Sequence, residues 1–175
     1  DFAEIGEPID FLGLNYYTRS VNRADPAAMP VGAGHVRQPC ALYTETGWEV
    51  RPQSLREVLG WLRARYGEMP IHIPENGAAF ADPPPDASGR VRDPLRIDYL
   101  RSHLQAVREA IADGVDVRGY FAWSLLDNFE WACGYAKRFG IVHVDFATQK
   151  RTPKASARYY AEVVRTNGAE FDAPE

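Results

Sequence analysis

Glu75 is the residue from which chemistry can first be argued. It follows the short apolar run Ile71-His72-Ile73-Pro74 and precedes Asn76-Gly77. A run with β-branched residues reads as a strand and Asn-Gly reads as a turn, so the pattern carries a carboxylate to a strand's C-terminal tip. Most Glu-Asn-Gly segments are only turns, but a barrel of alternating strands and helices presents its catalytic groups in this way. A second concentration of reactive and aromatic groups follows another strand-like run. Trp123-Ser124-Leu125-Leu126-Asp127-Asn128-Phe129-Glu130-Trp131 holds two carboxylates, an amide and two indoles, more than a structural loop normally spends at one strand end. Asn15 and Tyr17 close the apolar run from Phe11 to Tyr16 and fall on one side by the period of two. Taken without context they read as a capping Asn and a half-buried Tyr at a strand end. Trp48, in Gly47-Trp48-Glu49-Val50, is either loop packing or an indole platform for the face of a sugar.

These groups need elements to hold them. Phe11 to Tyr16 reads as a buried strand, apolar on both faces as parallel strands are. From Thr18 to Glu49 no period is sustained, and a connection that long is usually functional or disordered. Pro52 opens a helix whose stripe is Leu55, Val58, Leu59, Leu62 and Tyr66, closed by Gly67. The Ile71–Pro74 strand follows, completing a strand–helix–strand unit that builds parallel sheets. Residues 81–91 form a Pro-, Asp- and Gly-rich loop. Asp93 and Pro94 look like N-cap and first-turn residues of a helix striped by Leu100, Leu104, Val107 and Ile111 and ending at Gly114. His103 lies on that helix as a packing or surface residue. A third strand, Val117 to Trp123, and an extended excursion, Phe139 to Asp145, precede a last helix. That helix opens at Pro153, carries Ala157, Tyr160, Val163 and Val164, and ends at Gly168.

The chain has 175 residues, of which 45% are apolar, enough for one domain with a sizeable core. A net charge of -4, with no basic block, gives no reason to expect nucleic acid or an anionic membrane as partner. Cys40 and Cys133 are too far apart in sequence to suggest a disulfide framework or metal site. They read as ordinary buried or semi-exposed thiols that suit a reducing, cytoplasmic compartment. No apolar segment approaches membrane-spanning length and no signal-like stretch opens the chain. No cofactor is implied.

Three motifs in this order, Asn15-Tyr16-Tyr17, Glu75-Asn76-Gly77-Ala78-Ala79 and Trp123 to Trp131, resemble the retaining β-glucosidases of glycoside hydrolase family 1. The resemblance extends through Tyr135–Gly140 and Thr148–Tyr160 to cover nearly the whole chain. It implies an α/β fold, the C-terminal part of a (β/α)8 barrel, with residues 1–175 forming a single partial barrel of about three βα units, the sixth to eighth strands. It also implies that Glu75 is the nucleophile of a glycosyl-enzyme mechanism and that Tyr17 hydrogen-bonds to it and holds its orientation. Asn15 would sit beside them and Trp123 would floor the glycone site. Glu130 and Trp131 would bind sugar hydroxyls, Trp48 would lie on the aglycone side, and Phe139 would pack near the glycone. Pro74 departs from the family, where Thr usually precedes the nucleophile, and its missing N–H is expected to alter a sheet hydrogen bond or a local angle.

Retaining hydrolysis needs a second carboxyl about 5–5.5 Å from the nucleophile. In the family this acid/base belongs to an Asn-Glu-Pro motif on the fourth strand, and this sequence contains no Asn-Glu-Pro. Catalysis by this chain alone is therefore expected to be very weak or nil. Three strands leave two open edges, so a second copy or a complementary chain carrying the earlier strands is expected to cover them. The substrate expected for the completed site is a β-glucoside or oligosaccharide. The alternatives are a partial-barrel module that self-associates and a sugar-binding module without turnover.

Overall fold

The computed structural model describes residues 1–169. After a short helix α1 (Phe2–Ile5), the elements are β1 (Leu12–Gly13), β2 (Asn22–Ala24), β3 (Ala33–His35), α2 (Pro52–Tyr66), β4 (Ile71–Asn76), α3 (Pro94–Ala112), β5 (Val117–Ala122), β6 (Val142–Val144), β7 (Arg151–Pro153) and α4 (Ala155–Arg165). β1, β4 and β5 form one parallel sheet with β4 in the middle. The segments 18–49 and 139–154 each contain an antiparallel pair, β2–β3 and β6–β7.

The core lies between this sheet and α2 and α3. Leu55 and Leu59 of α2, Ile71 and Ile73 of β4, and Val107 and Ala110 of α3 are buried together. A second cluster joins Ile97 and Leu100 of α3 to Tyr159 and Val163 of α4. Each long helix uses the predicted stripe, but Tyr66, Ile111 and Val164 are exposed. All three sit in the last turn of their helices.

The first strand is shorter and less buried than the sequence suggests. Phe11 is 55% exposed, and only Leu12 and Gly13 are ladder residues. One reason is position, since β1 pairs along one edge only. The other is Pro74. Leu12 N–H donates to Pro70 C=O and Leu14 N–H to His72 C=O, both at 2.9 Å. In a parallel ladder the next donor from β4 would be residue 74, and proline has none. Tyr16 N–H then donates to Glu75 C=O at 3.0 Å, one residue beyond where strict alternation would put it. On the other side Ile73 pairs with Tyr120 and Asn76 with Ala122, so β4 spends one extra residue there as well. β4 is bulged at Pro74–Glu75.

The last helix also departs from expectation. Pro153 ends β7 and α4 begins at Ala155. Asp93 does not cap its own helix α3 with its side chain. Its carboxylate instead accepts Ser156 N–H at 2.9 Å, satisfying a free amide of the first turn of α4. Cys40 and Cys133 are both exposed free thiols, more open than the buried or semi-exposed thiols expected, each on a turn. Among the described residues no helix is long and apolar enough to cross a membrane, and no group of side chains is suited to hold a metal ion.

Candidate active site

The bulge decides which way Glu75 faces. Ile71 and Ile73 point into the helix-covered core, and unbroken alternation would send residue 75 the same way. The extra residue switches the phase, as bulges beside functional sites commonly do. Asn76 takes the buried side and Glu75 is left half-buried at the open end of the strand. There Tyr17 Oη donates to Glu75 Oε2 at 2.7 Å. Burial, and then the hydrogen bond to Glu75, push the Tyr17 phenol far above its ordinary range, so it remains a hydroxyl donor at neutral pH.

Three aromatic rings close one side. Tyr17 lies 5.1 Å from Trp48 and 6.2 Å from Phe139, and those two rings are 6.0 Å apart. Trp48 is delivered by a tight turn in which Tyr43 bridges to Glu49, and the Glu49 carboxylate is fixed by two hydrogen bonds from Arg19 at 2.9 and 3.0 Å. Trp123 follows β5 directly, and its Nε1–H donates to Glu130 Oε1 at 3.2 Å. Burial raises the Glu130 carboxyl above its ordinary pKa, the Trp123 hydrogen bond partly offsets this, and the charge of Glu75 raises it further. Glu130 and Glu75 therefore share one electrostatic neighbourhood. Asn15 is exposed. Trp131 is 84% exposed at a φ of +45°, on a single 3-10 turn. The structure thus groups Glu75, Tyr17, Trp48 and Phe139, sets the Trp123–Glu130 pair beside them, and leaves Asn15 and Trp131 facing solvent.

Gly77 has a different purpose from the turn suggested by the sequence. Its φ is outside the left-handed region, and a Cβ there would lie 1.7 Å from the carbonyl oxygen of Trp123. The residue must be glycine so that the chain after Glu75 can pass against the chain after β5.

Behind the site lies a set of residues to which the sequence alone assigns no site role. Asn76, fully buried, donates Nδ2 to Tyr16 C=O at 2.7 Å and to Tyr99 Oη at 3.0 Å, and accepts Tyr120 Oη at 2.6 Å. It ties the ends of β1 and β5 and the face of α3 to the residue after Glu75. A buried ionic cluster supports the Trp123–Trp131 loop. Lys154 pairs with Asp82 and Asp127, Arg96 with Asp82 and Asp93, and Arg138 with Asp127. Asp127 also accepts Gly140 N–H at 3.0 Å, which anchors the neighbouring Phe139. His103 is a buried packing residue with its ring stacked on Tyr99 at 3.9 Å. Burial lowers its pKa to about 4.

The chain is similar to known proteins along its described length. The model of glycosyl hydrolase family 1 matches residues 1–169. β-Glucosidase A of Thermotoga maritima is 48% identical over 170 residues, which is 97% of this chain and 37% of that relative. Thermostable β-glucosidase B of Thermobispora bispora is 48% identical over 174 residues, covering 96% and 35% of the two chains. A solved structure of the family 1 β-glucosidase from Thermotoga maritima superposes with a TM-score of 0.92 at 48% identity, covering 97% of this chain and 38% of that one. The same enzyme has been solved in complex with deoxynojirimycin, where the TM-score is also 0.92. The chain spans somewhat more than a third of the length of the curated relatives it matches. Its open sheet is the C-terminal part of their (β/α)8 barrel.

Proposed function

The chain belongs to glycosyl hydrolase family 1, and on that premise we propose that it supplies the nucleophile side of a retaining β-glucosidase site. Glu75 attacks the anomeric carbon. The bond to the aglycone oxygen breaks as the Glu75–sugar ester forms, and the leaving oxygen takes its proton from a second carboxyl. Water then cleaves the ester, and retention follows from two inversions. The observation that carries this reading is the 2.7 Å hydrogen bond from Tyr17 to a carboxylate held at the open tip of β4, with rings on one side and Glu130 in electrostatic reach. Tyr17 holds the nucleophile, Trp123 floors the glycone, and Glu130 takes sugar hydroxyls with Trp131 and Asn15 at the rim. Trp48 and Phe139 wall the site. The chain serves as a single partial barrel; residues 170–175 lie outside the described residues. The two exposed thiols suit a reducing, cytoplasmic setting.

The acid/base motif of the family is not among residues 1–175, so turnover requires the earlier strands of the barrel, whichever polypeptide carries them. The exposed rings of Phe11, just before β1, and Phe121 of β5 lie at the two outer strands of the open sheet and favour a covering element there, whether the earlier strands of the barrel, a complementary chain or a second copy. The test is turnover of an aryl β-glucoside by the purified chain, alone and mixed with the first five strand–helix units of a family 1 relative. Turnover confined to the mixture and abolished by Glu75→Gln supports the proposal. Undiminished turnover with Glu75→Gln refutes it. Sugar-induced tryptophan fluorescence changes without turnover in any mixture would favour a binding module.

A further inference from the structure

Resting on the reading that Tyr17 orients Glu75, we propose that Tyr99 of α3 is a positioning residue that sets the Tyr17 phenol against Glu75 from behind the sheet. Tyr99 Oη donates to Tyr17 C=O at 3.3 Å and accepts Asn76 Nδ2 at 3.0 Å. The same amide donates to Tyr16 C=O at 2.7 Å. The carbonyls of residues 16 and 17 are thus both fastened. Peptide units are planar, so holding the two that flank the Tyr17 Cα fixes the direction in which its side chain leaves the backbone. Asn76 is bonded to Glu75, so one amide references the donor and the acceptor of the Tyr17–Glu75 hydrogen bond to the same point. Tyr120 Oη, donating to Asn76 Oδ1 at 2.6 Å, holds that amide from the β5 side.

Tyr99 is built to be a rigid reference. It is 2% exposed, its ring stacks on His103 at 3.9 Å with 24° between planes, and it meets Phe80 edge-on at 6.4 Å. Burial pushes its phenol far above the ordinary range, so the hydroxyl keeps its proton at neutral pH. Tyr99 reaches neither Glu75 nor the open face, and acts only through residues 16, 17 and 76. Misplacement of a reacting group by about 1 Å can cost a hundredfold in rate, which is why such a brace matters.

The test uses the chain with 13Cζ-labelled tyrosine and follows the Tyr17 resonance by NMR at neutral pH, assigned with Tyr17→Phe. Glu75→Gln gives the displacement for loss of the carboxylate acceptor. Tyr99→Phe should move Tyr17 in the same direction by a large fraction of that displacement. Tyr160→Phe is the control: its hydroxyl, from α4, also donates to a backbone carbonyl, that of Tyr120, at 3.0 Å, and its loss should leave Tyr17 in place. A Tyr17 resonance unmoved by Tyr99→Phe, or moved equally by Tyr160→Phe, overturns the role of Tyr99 while leaving the function of Glu75 standing. A resonance unmoved by Glu75→Gln refutes the Tyr17–Glu75 contact and the functional reading with it. If Tyr99→Phe does not fold, Tyr120→Phe loosens the same amide from the other side. It must then displace Tyr17, and its failure to do so overturns the proposal.

Discussion

Replacing Asn76 with alanine tests how the end of β4 is held. The side chain is fully buried and makes three hydrogen bonds, to Tyr16 C=O, Tyr99 Oη and Tyr120 Oη. Each buried hydrogen bond contributes about 1 kcal/mol net, and a stranded partner costs more. Tyr99 retains its bond to Tyr17 C=O, whereas Tyr16 C=O and Tyr120 Oη lose the Asn76 amide as partner. The expected loss is about 3 kcal/mol, a large share of the roughly 5–15 kcal/mol that stabilises a typical domain. Urea unfolding followed by tryptophan fluorescence reads it as a lower midpoint at unchanged slope. Asn128→Ala is the comparator. That half-buried amide donates to Ser124 Oγ at 3.0 Å and to Leu126 C=O at 3.2 Å, and its loss should cost about 1 kcal/mol or less. Equal midpoints for the two variants would refute Asn76 as the tie between strands.

Gly77→Ala should cost about 2 kcal/mol and shift Trp123 emission, because the new Cβ would meet the Trp123 carbonyl at 1.7 Å and the backbone must yield; wild-type urea midpoints and spectra would contradict the close approach. Lys154→Met removes a buried cation from Asp82 and Asp127. Each carboxylate keeps an arginine, so the loss should be about 3 kcal/mol, the low end for breaking a buried pair, and a variant within about 0.5 kcal/mol of wild type, the range of an ordinary surface change, would show the cluster to be inert. His103 has a folded pKa of about 4 against an ordinary 6.5. The unfolded chain therefore takes up this proton first, and the associated stability, present above pH 6.5, falls by about 3 kcal/mol as pH drops towards 4. His103→Phe should flatten the stability–pH profile in that window, and parallel profiles would rule this out.

The strand–helix alternation and the Glu75 motif were legible because they rest on local period and composition. The sheet order follows, since short parallel crossovers leave few choices. What was hidden depends on partners distant in sequence. Phe11 reads as an interior residue, but exposure depends on whether a neighbouring strand covers the edge. Asn76-Gly77 carries a turn signature, and only the approach of β5 turns it into a hydrogen-bond hub and a close-contact glycine. The bulge at Pro74 was foreshadowed by proline's missing donor, but not the phase change it gives Glu75. The ionic cluster draws Asp82, Asp93, Arg96, Asp127, Arg138 and Lys154 from well-separated positions, and none of them reads alone as a member of a buried network. Asp93 was recognisable as a cap, although its carboxylate serves α4 rather than the helix it precedes.

The role of Glu75 is tested most directly by trapping the sugar on it. A dinitrophenyl β-glucoside carries a leaving group stable as the anion, so bond cleavage needs no general acid, and without the acid/base the ester should form faster than it is cleaved. After incubation, peptide mass mapping should find one hexosyl unit on the segment containing Glu75 and none in the Glu75→Gln chain. A hexosyl unit on Glu130 or another carboxylate, with Glu75 unmodified, would contradict the assignment.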